Sequence, residues 1–184
     1  DAVTEEVTRY ALDGSISARF LLSSPQRLLT SCPAAASSYW ENFGSYEIDD
    51  VEETDNDLTT NDFDERPLLH TVSLLAQRLG YSKRLAEIDT KYKLLKSQLT
   101  ELWRKQPEAK ILLFSSFKPT LHYLKDRLNK DDVDCELLHG SVKGPREDIL
   151  KRFKEDPTKR VLLSSEVGSE GVDLQFCWIV VNYD

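Results

Sequence analysis

A chain of 184 residues, 40% apolar and 30% charged, can form one ordinary domain with an appendage and is too apolar to be disordered throughout. No apolar run approaches the roughly 20 residues that cross a bilayer, and the amino terminus lacks the charged-then-apolar order of a secretory leader. The expectation is a cytoplasmic protein without a membrane segment; the net charge of −8 argues against a nucleic-acid surface until the acids are located.

Residues 1–46 carry scattered apolar positions, a Ser- and Ala-rich centre and the aromatics Tyr39, Trp40 and Phe43, which predict a short helical extension able to meet a protein partner. Residues 47–65 hold ten of the 32 acidic side chains and no basic one, leaving 22 acids against 24 Lys and Arg, an excess of two positive charges. A run that repels itself and has little apolar surface to bury reads as a flexible, solvated linker. Occupation of a basic groove, in imitation of nucleic acid, is its second reading. Pro67 suits a helix's first turn and Gly80 its stop, with Leu68, Leu69, Val72, Leu75, Ala76 and Leu79 along one face. Next, Leu85, Ile88, Tyr92, Leu95, Leu99 and Leu102 recur at steps of three and four, predicting one long helix that ends before Pro107.

From Ala109 onward strand and helix alternate. Strands are expected at residues 111–115, 133–138, 161–164 and 178–182, and helices at 120–128 and 145–153. The strands are continuous β-branched and Leu runs, which suit burial on both faces of a parallel sheet with right-handed crossovers. Periodicity alone allows any doubly wound α/β domain. In such sheets ligands bind beyond the carboxyl ends of the strands, where the loop at residues 166–175 sits with Gly168 and Gly171. Cys32, Cys135 and Cys177 are odd in number and far apart, so they read as buried thiols rather than disulfides or zinc ligands. The chain starts at Asp1 and has no Met, which suits an excised fragment or unrecorded modified methionines.

The segment Glu166-Val167-Gly168-Ser169-Glu170-Gly171-Val172-Asp173-Leu174-Gln175, after the strand Val161-Leu162-Leu163-Ser164-Ser165, resembles motif V of superfamily 2 helicases. Its wording is similar to the Swi/Snf-type DNA translocases, and most similar to their RapA-like branch. Further matches follow the family's order. Lys110-Ile111-Leu112-Leu113-Phe114-Ser115-Ser116-Phe117 resembles motif IV, Leu137-Leu138-His139-Gly140-Ser141 the next strand and turn, and Arg146 with Phe153 the following helix. The resemblance covers residues 91–184. It implies an α/β, RecA-like parallel sheet flanked by helices: a helicase C-terminal lobe over residues 66–184, preceded by the helical extension (1–46) and the acidic linker (47–65).

For the site, the resemblance implies nucleic-acid contacts from Ser115, Ser116, His139, Gly140, Ser165, Glu166 and Gly168, and nucleotide contacts from Gly171 and Asp173. A carboxylate can accept hydrogen bonds from ribose hydroxyls, and strand-end hydroxyls can donate to phosphate oxygens. The bland readings are a cap for Asp173, strand termination for the two serines, and a structural histidine at 139. Arg146 and Lys143 are further candidates for phosphate contacts, whereas Phe117, Trp178 and Tyr183 are expected in the core. No Gly-x-x-x-x-Gly-Lys-Ser/Thr loop occurs. Asp64-Glu65-Arg66-Pro67 follows an acidic linker rather than a buried strand, which excludes it as a magnesium-positioning pair. ATP and Mg2+ are therefore expected to be held mainly by a first RecA-like lobe, with no catalytic residue here and the arginine-bearing motif beyond Asp184. Residues 1–184 alone should then not hydrolyse ATP. The nucleic acid is expected to be DNA, because Gly171-Val172-Asp173-Leu174-Gln175 differs from the Gly-Ile-Asp-Ile-Pro wording of RNA-directed DEAD-box enzymes. An RNA-directed lobe, a noncatalytic adaptor lobe and an unrelated glycosyl- or nucleotide-binding α/β enzyme remain as alternatives.

Overall fold

The computed structural model describes residues 18–43, 66–140, 146–165 and 174–184, so the acidic run at 47–65 and the loop at 166–173 lie outside the described residues. The chain divides into two compact units, Asp1–Ile88 and Asp89–Asp184.

In the first unit, helix α2 (Pro33–Glu41) packs against α1 (Ala18–Ser31), α3 (Arg66–Leu79) and α4 (Ser82–Ile88). Ala34, Ala35 and Ala36 are almost wholly buried, and side chains this small let neighbouring backbones approach closely. Tyr39, Trp40 and Val72 complete the buried centre. Gly80 ends α3 at φ +61°, a left-handed conformation that a side chain would strain, and its N–H donates to the Ala76 carbonyl at 2.9 Å. Beyond it, the Ser82 N–H (2.9 Å) and hydroxyl both donate to the Glu41 carboxylate, tying α4 to the end of α2. Residues 66–88, expected from the sequence to begin the second lobe, thus pack with the amino-terminal helices.

The long helix expected through Leu85 and Leu102 is two helices, α4 and α5 (Thr90–Lys105). Asp89 makes the break: its backbone is extended at φ −60°, ψ 96°, and its carboxylate accepts the Tyr92 N–H at 2.9 Å, capping α5. Tyr92, Leu95 and Leu99 continue the apolar stripe and are buried, whereas Ile88 on the other side of the break is 58% exposed.

The second unit is a four-stranded parallel sheet of order β2-β3-β1-β4, with β1 at Ile111–Phe114, β2 at Cys135–Leu138, β3 at Val161–Ser164 and β4 at Ile179–Asn182. The crossovers are α6 (Lys118–Lys130) between β1 and β2, and α7 (Arg146–Glu155) between β2 and β3. Pairing in register puts Ile111 beside Val161 and Ile179, and Cys135 beside Val161. Every residue of β3 is buried, as its unbroken apolar run predicts. On one face Leu112, Leu138 and Leu162 meet Ile149 and Phe153 of α7. Leu121, Leu124 and Leu128 of α6 are buried as well.

β4 departs from the expectation of burial on both faces. Among the described residues it pairs with β1 alone, Val180 is 62% exposed, and Trp178, expected in the core, is 76% exposed. An edge strand keeps a solvent face wherever no helix is laid over it. Phe117 and Tyr183 are buried as expected.

A polar network binds α5 to α6. The Tyr92 hydroxyl donates to Asp131 at 2.7 Å, Lys96 pairs with the other Asp131 oxygen at 2.7 Å, and the Tyr123 hydroxyl donates to Asp89 at 2.8 Å. The Arg127 guanidinium lies 4.3 Å above the Tyr92 ring and donates to the Tyr123 hydroxyl at 3.1 Å. Lys96 first and the Tyr92 hydroxyl second hold the Asp131 carboxyl below its usual range. A carboxyl lowered on folding stabilises the folded state above its unfolded value, near pH 4, and that contribution fades as pH falls through the folded value. Replacing Asp131 by Asn should therefore lower stability at pH 7 by about 1 kcal/mol, given the partial exposure of the pair. The loss should shrink below pH 4; urea unfolding of both proteins at pH 7 and pH 3 measures it.

Candidate nucleic-acid and nucleotide interface at the carboxyl edge

Four strand ends lie side by side at the carboxyl edge, spanning about 14 Å at ordinary strand spacing. In lateral order they are His139 and Gly140 after β2, Ser165 after β3, Ser115 and Ser116 after β1, and Tyr183 and Asp184 after β4. Three of the four strands, β3, β1 and β4, run one residue past their formal ends through further ladder bonds. Ser165 N–H donates to Leu138 O at 3.2 Å, Ser115 N–H to Ser164 O at 3.2 Å, and Tyr183 N–H to Phe114 O at 2.9 Å. The ladder thereby fixes where the next side chain emerges. Ser164 sends its hydroxyl to the Ser165 carbonyl at 3.0 Å.

Ser115 is fully buried, and its hydroxyl donates to Asp184 Oδ1 at 2.7 Å while accepting the Phe117 N–H at 3.2 Å. The other Asp184 oxygen accepts the Ser116 N–H at 2.6 Å. One carboxylate thus grips two consecutive residues of the neighbouring strand end, which sets the turn into α6. Ser116 is partly exposed, in contrast to Ser115. His139 is buried, with its ring edge-on to His122 at 5.4 Å between centroids. Lys91 of α5 places its ammonium 4.5 Å from the Tyr183 ring centroid, bringing a positive charge to the end of β4. The structure thus collects Ser115, Ser116, His139, Gly140 and Ser165 along one edge, whereas Glu166, Gly168, Gly171 and Asp173 lie outside the described residues.

Asp184 is the residue that sequence reasoning passed over. Its signal was position, two residues beyond the paired Asn182, but the β1–β4 pairing that makes the position meaningful is long-range. Among the described residues no group of three or more His, Cys, Asp and Glu could hold a metal ion.

The model of the helicase conserved C-terminal domain matches residues 90–184, just over half the chain. The chain belongs to that family. The four-stranded parallel sheet with its flanking helices is the RecA-like lobe of a helicase C-terminal domain, and the match begins at the first residue of α5. The ATP-dependent RNA helicase FAL1 of Meyerozyma guilliermondii is 30% identical over 87 residues, 47% of this chain and 22% of that protein. The ATP-dependent helicase YqhH of Bacillus subtilis, described as uncharacterized, is 30% identical over 80 residues, 44% of this chain and 14% of that protein. The chain thus spans less than a quarter of either relative's length. Among solved structures, the C-terminal part of the Fun30 ATPase domain shares the fold, with a TM-score of 0.50 at 18% identity over 80% of this chain and 51% of that one.

Replacing Asp184 by Ala should cost about 1–3 kcal/mol, because it leaves the buried Ser115 hydroxyl and the Ser116 N–H without their shared acceptor. Hydrogen exchange at the Ser116 amide should accelerate more than exchange at the β3 amides. Equal exchange before and after the substitution would show that the grip is not formed in solution.

Proposed function

We propose that this chain is the second motor lobe of an ATP-dependent nucleic-acid translocase of superfamily 2, Swi/Snf-type, acting on DNA. The observation that carries the reading is the alignment of three motif-bearing strand ends on one edge of a helicase C-terminal sheet. There Ser116, with the buried Ser165 and His139 and with Gly140 beside it, offers a hydroxyl and close backbone approach to a phosphate chain. Ser115 serves as the fixed post of that groove, since its proton is held by Asp184. Backbone contacts of this kind position a strand without reading its bases. We assign Glu166 and Gly168 to nucleic-acid contacts, and Gly171 and Asp173 to the ribose of ATP held mainly by a first lobe.

In the complete motor, nucleotide binding draws the two lobes together and hydrolysis releases them, so that two grips on one strand alternate. Mg2+ would supply charge neutralisation at the phosphates, and we assign it with ATP to the first lobe because this sequence carries no Gly-x-x-x-x-Gly-Lys-Ser/Thr loop. DNA is supported by the Gly171-Val172-Asp173-Leu174-Gln175 wording. An RNA substrate is the second reading, favoured by relatives named as RNA helicases. Three free, buried cysteines suit a reducing compartment such as the cytoplasm.

Two measurements check the proposal. Residues 1–184 should show no DNA-stimulated ATP turnover. When the lobe is joined to a first lobe that supplies the phosphate loop, Asp173→Ala should lower turnover at subsaturating ATP by about one to two decades while leaving DNA affinity near its starting value. Loss of DNA affinity with turnover intact would reverse the assignment of Asp173.

The second is a salt titration of the joined protein on DNA and RNA of equal length. Binding should weaken as salt rises, with a shallow slope because little net positive charge is available, and DNA should be preferred. Ser116→Ala and Ser165→Ala together should reduce affinity several-fold at every salt concentration. Unchanged affinity and unchanged stimulated turnover in the double variant would place the groove elsewhere.

A further inference from the structure

A second concave site lies at the opposite, amino-terminal edge of the sheet. Val133 and Arg160, which lead into β2 and β3, line a cavity of about 280 Å3 together with Trp103 and Leu99 of α5 and Leu128 of α6. Neither the carboxyl-edge groove nor the nucleotide assignment uses it. Its centre is an Arg on a Trp: the Arg160 guanidinium lies 4.0 Å from the Trp103 ring centroid, while the indole N–H donates to the Ala109 carbonyl at 3.0 Å. The indole is thereby locked, and the guanidinium plane is held against it.

Among the described residues, the Arg160 guanidinium has no hydrogen-bond or ion-pair acceptor. Lys96 at the same cavity is committed to Asp131 at 2.7 Å, and the neighbouring Lys159 to Asp134 at 3.6 Å. A half-buried, stacked guanidinium with its fork of donors unspent is suited to a carboxylate, which it can grip through two parallel bonds. Val133 and Trp103, both partly exposed, supply an apolar wall for the stem that carries it, backed by the buried Leu99 and Leu128.

Size and shape select the source of that carboxylate. Pockets that enclose whole small ligands run from roughly 300 to 1,000 Å3 and bury most of the ligand. This cavity falls just short of that range, and its rim residues Thr100 and Asp132 are exposed, so it admits one or two side chains. Asp132 at the mouth disfavours a polyanion such as a nucleic-acid strand, which would bring several phosphates against it. We propose that this cavity is a docking site for a largely apolar segment of a partner protein that carries a single Glu or Asp, whose carboxylate pairs with Arg160 while an adjacent apolar side chain lies against Val133 and Trp103.

The experiment uses the full chain with 15N-labelled arginine, following the Arg160 Nε–H resonance. The probes are acetyl-Leu-Glu-Leu-amide, its glutamine counterpart, inorganic phosphate, and a single-stranded DNA oligonucleotide. The glutamate peptide should shift the Arg160 resonance saturably and bind about tenfold more tightly than the glutamine peptide, as expected for one charge-assisted pair. Arg160→Gln should abolish that preference, and Arg160→Lys, which keeps the charge and loses the planar fork, should lose most of it. DNA binding should be the same in all three proteins. Equal shifts with both peptides, or with phosphate as readily as with the glutamate peptide, would overturn the proposal. So would DNA that moves the Arg160 resonance and binds more weakly to Arg160→Gln. The resonance in the unsubstituted chain decides the matter even if a variant fails to fold.

Discussion

The parallel pairing of β3 with β2 on one side and β1 on the other is the constraint on which the rest of the second unit depends. A strand paired on both edges and covered on both faces has no freedom of register, because a slip of one residue would turn every buried side chain to the wrong face. Its flanking strands inherit that register. Ser165, Ser115 and His139 consequently emerge from one edge at strand spacing, although Ser165 lies 26 positions after His139 in the sequence. The alignment of these strand ends is a by-product of core packing around β3, whose every residue is buried.

The edge is then refined by a local polar clasp. Asp184 engages the Ser115 hydroxyl and the Ser116 N–H, so β4 contributes a fixed carboxylate at the start of the turn into α6. This changes the roles of two adjacent serines that look alike in sequence. Ser115 is buried with its hydroxyl committed to Asp184, whereas Ser116 meets Asp184 through its backbone N–H and stays partly exposed.

The same logic separates the two ends of the sheet. At the carboxyl edge the described residues are Ser115, Ser116, His139, Gly140 and Ser165, small or polar groups gathered at strand ends. At the amino edge it offers a guanidinium clamped on an indole beside an apolar wall, which is shaped for a side chain. The α5–α6 network of Asp89, Tyr92, Tyr123 and Asp131 braces these elements, since α5 carries Lys91 near Tyr183 at one place and Trp103 under Arg160 at another.

By itself the sequence determined the alternation of strands and helices, the fully buried third strand and the family motifs. Each of these is written in local periodicity or in contiguous wording, and short-range patterns survive without knowledge of partners. It misjudged the helix through residues 85–102, because the apolar stripe runs on in register across Asp89 and only the cap geometry reveals the break. It misjudged Trp178 and Val180, because a β-branched run reads the same in a central strand and at an edge, where strand order and the covering layer decide exposure. The Asp184 grip and the Trp103–Arg160 stack were illegible for a related reason. Each joins residues more than 50 positions apart whose meeting depends on strand order and crossover geometry, and those long-range pairings are settled only when the whole sheet closes its core.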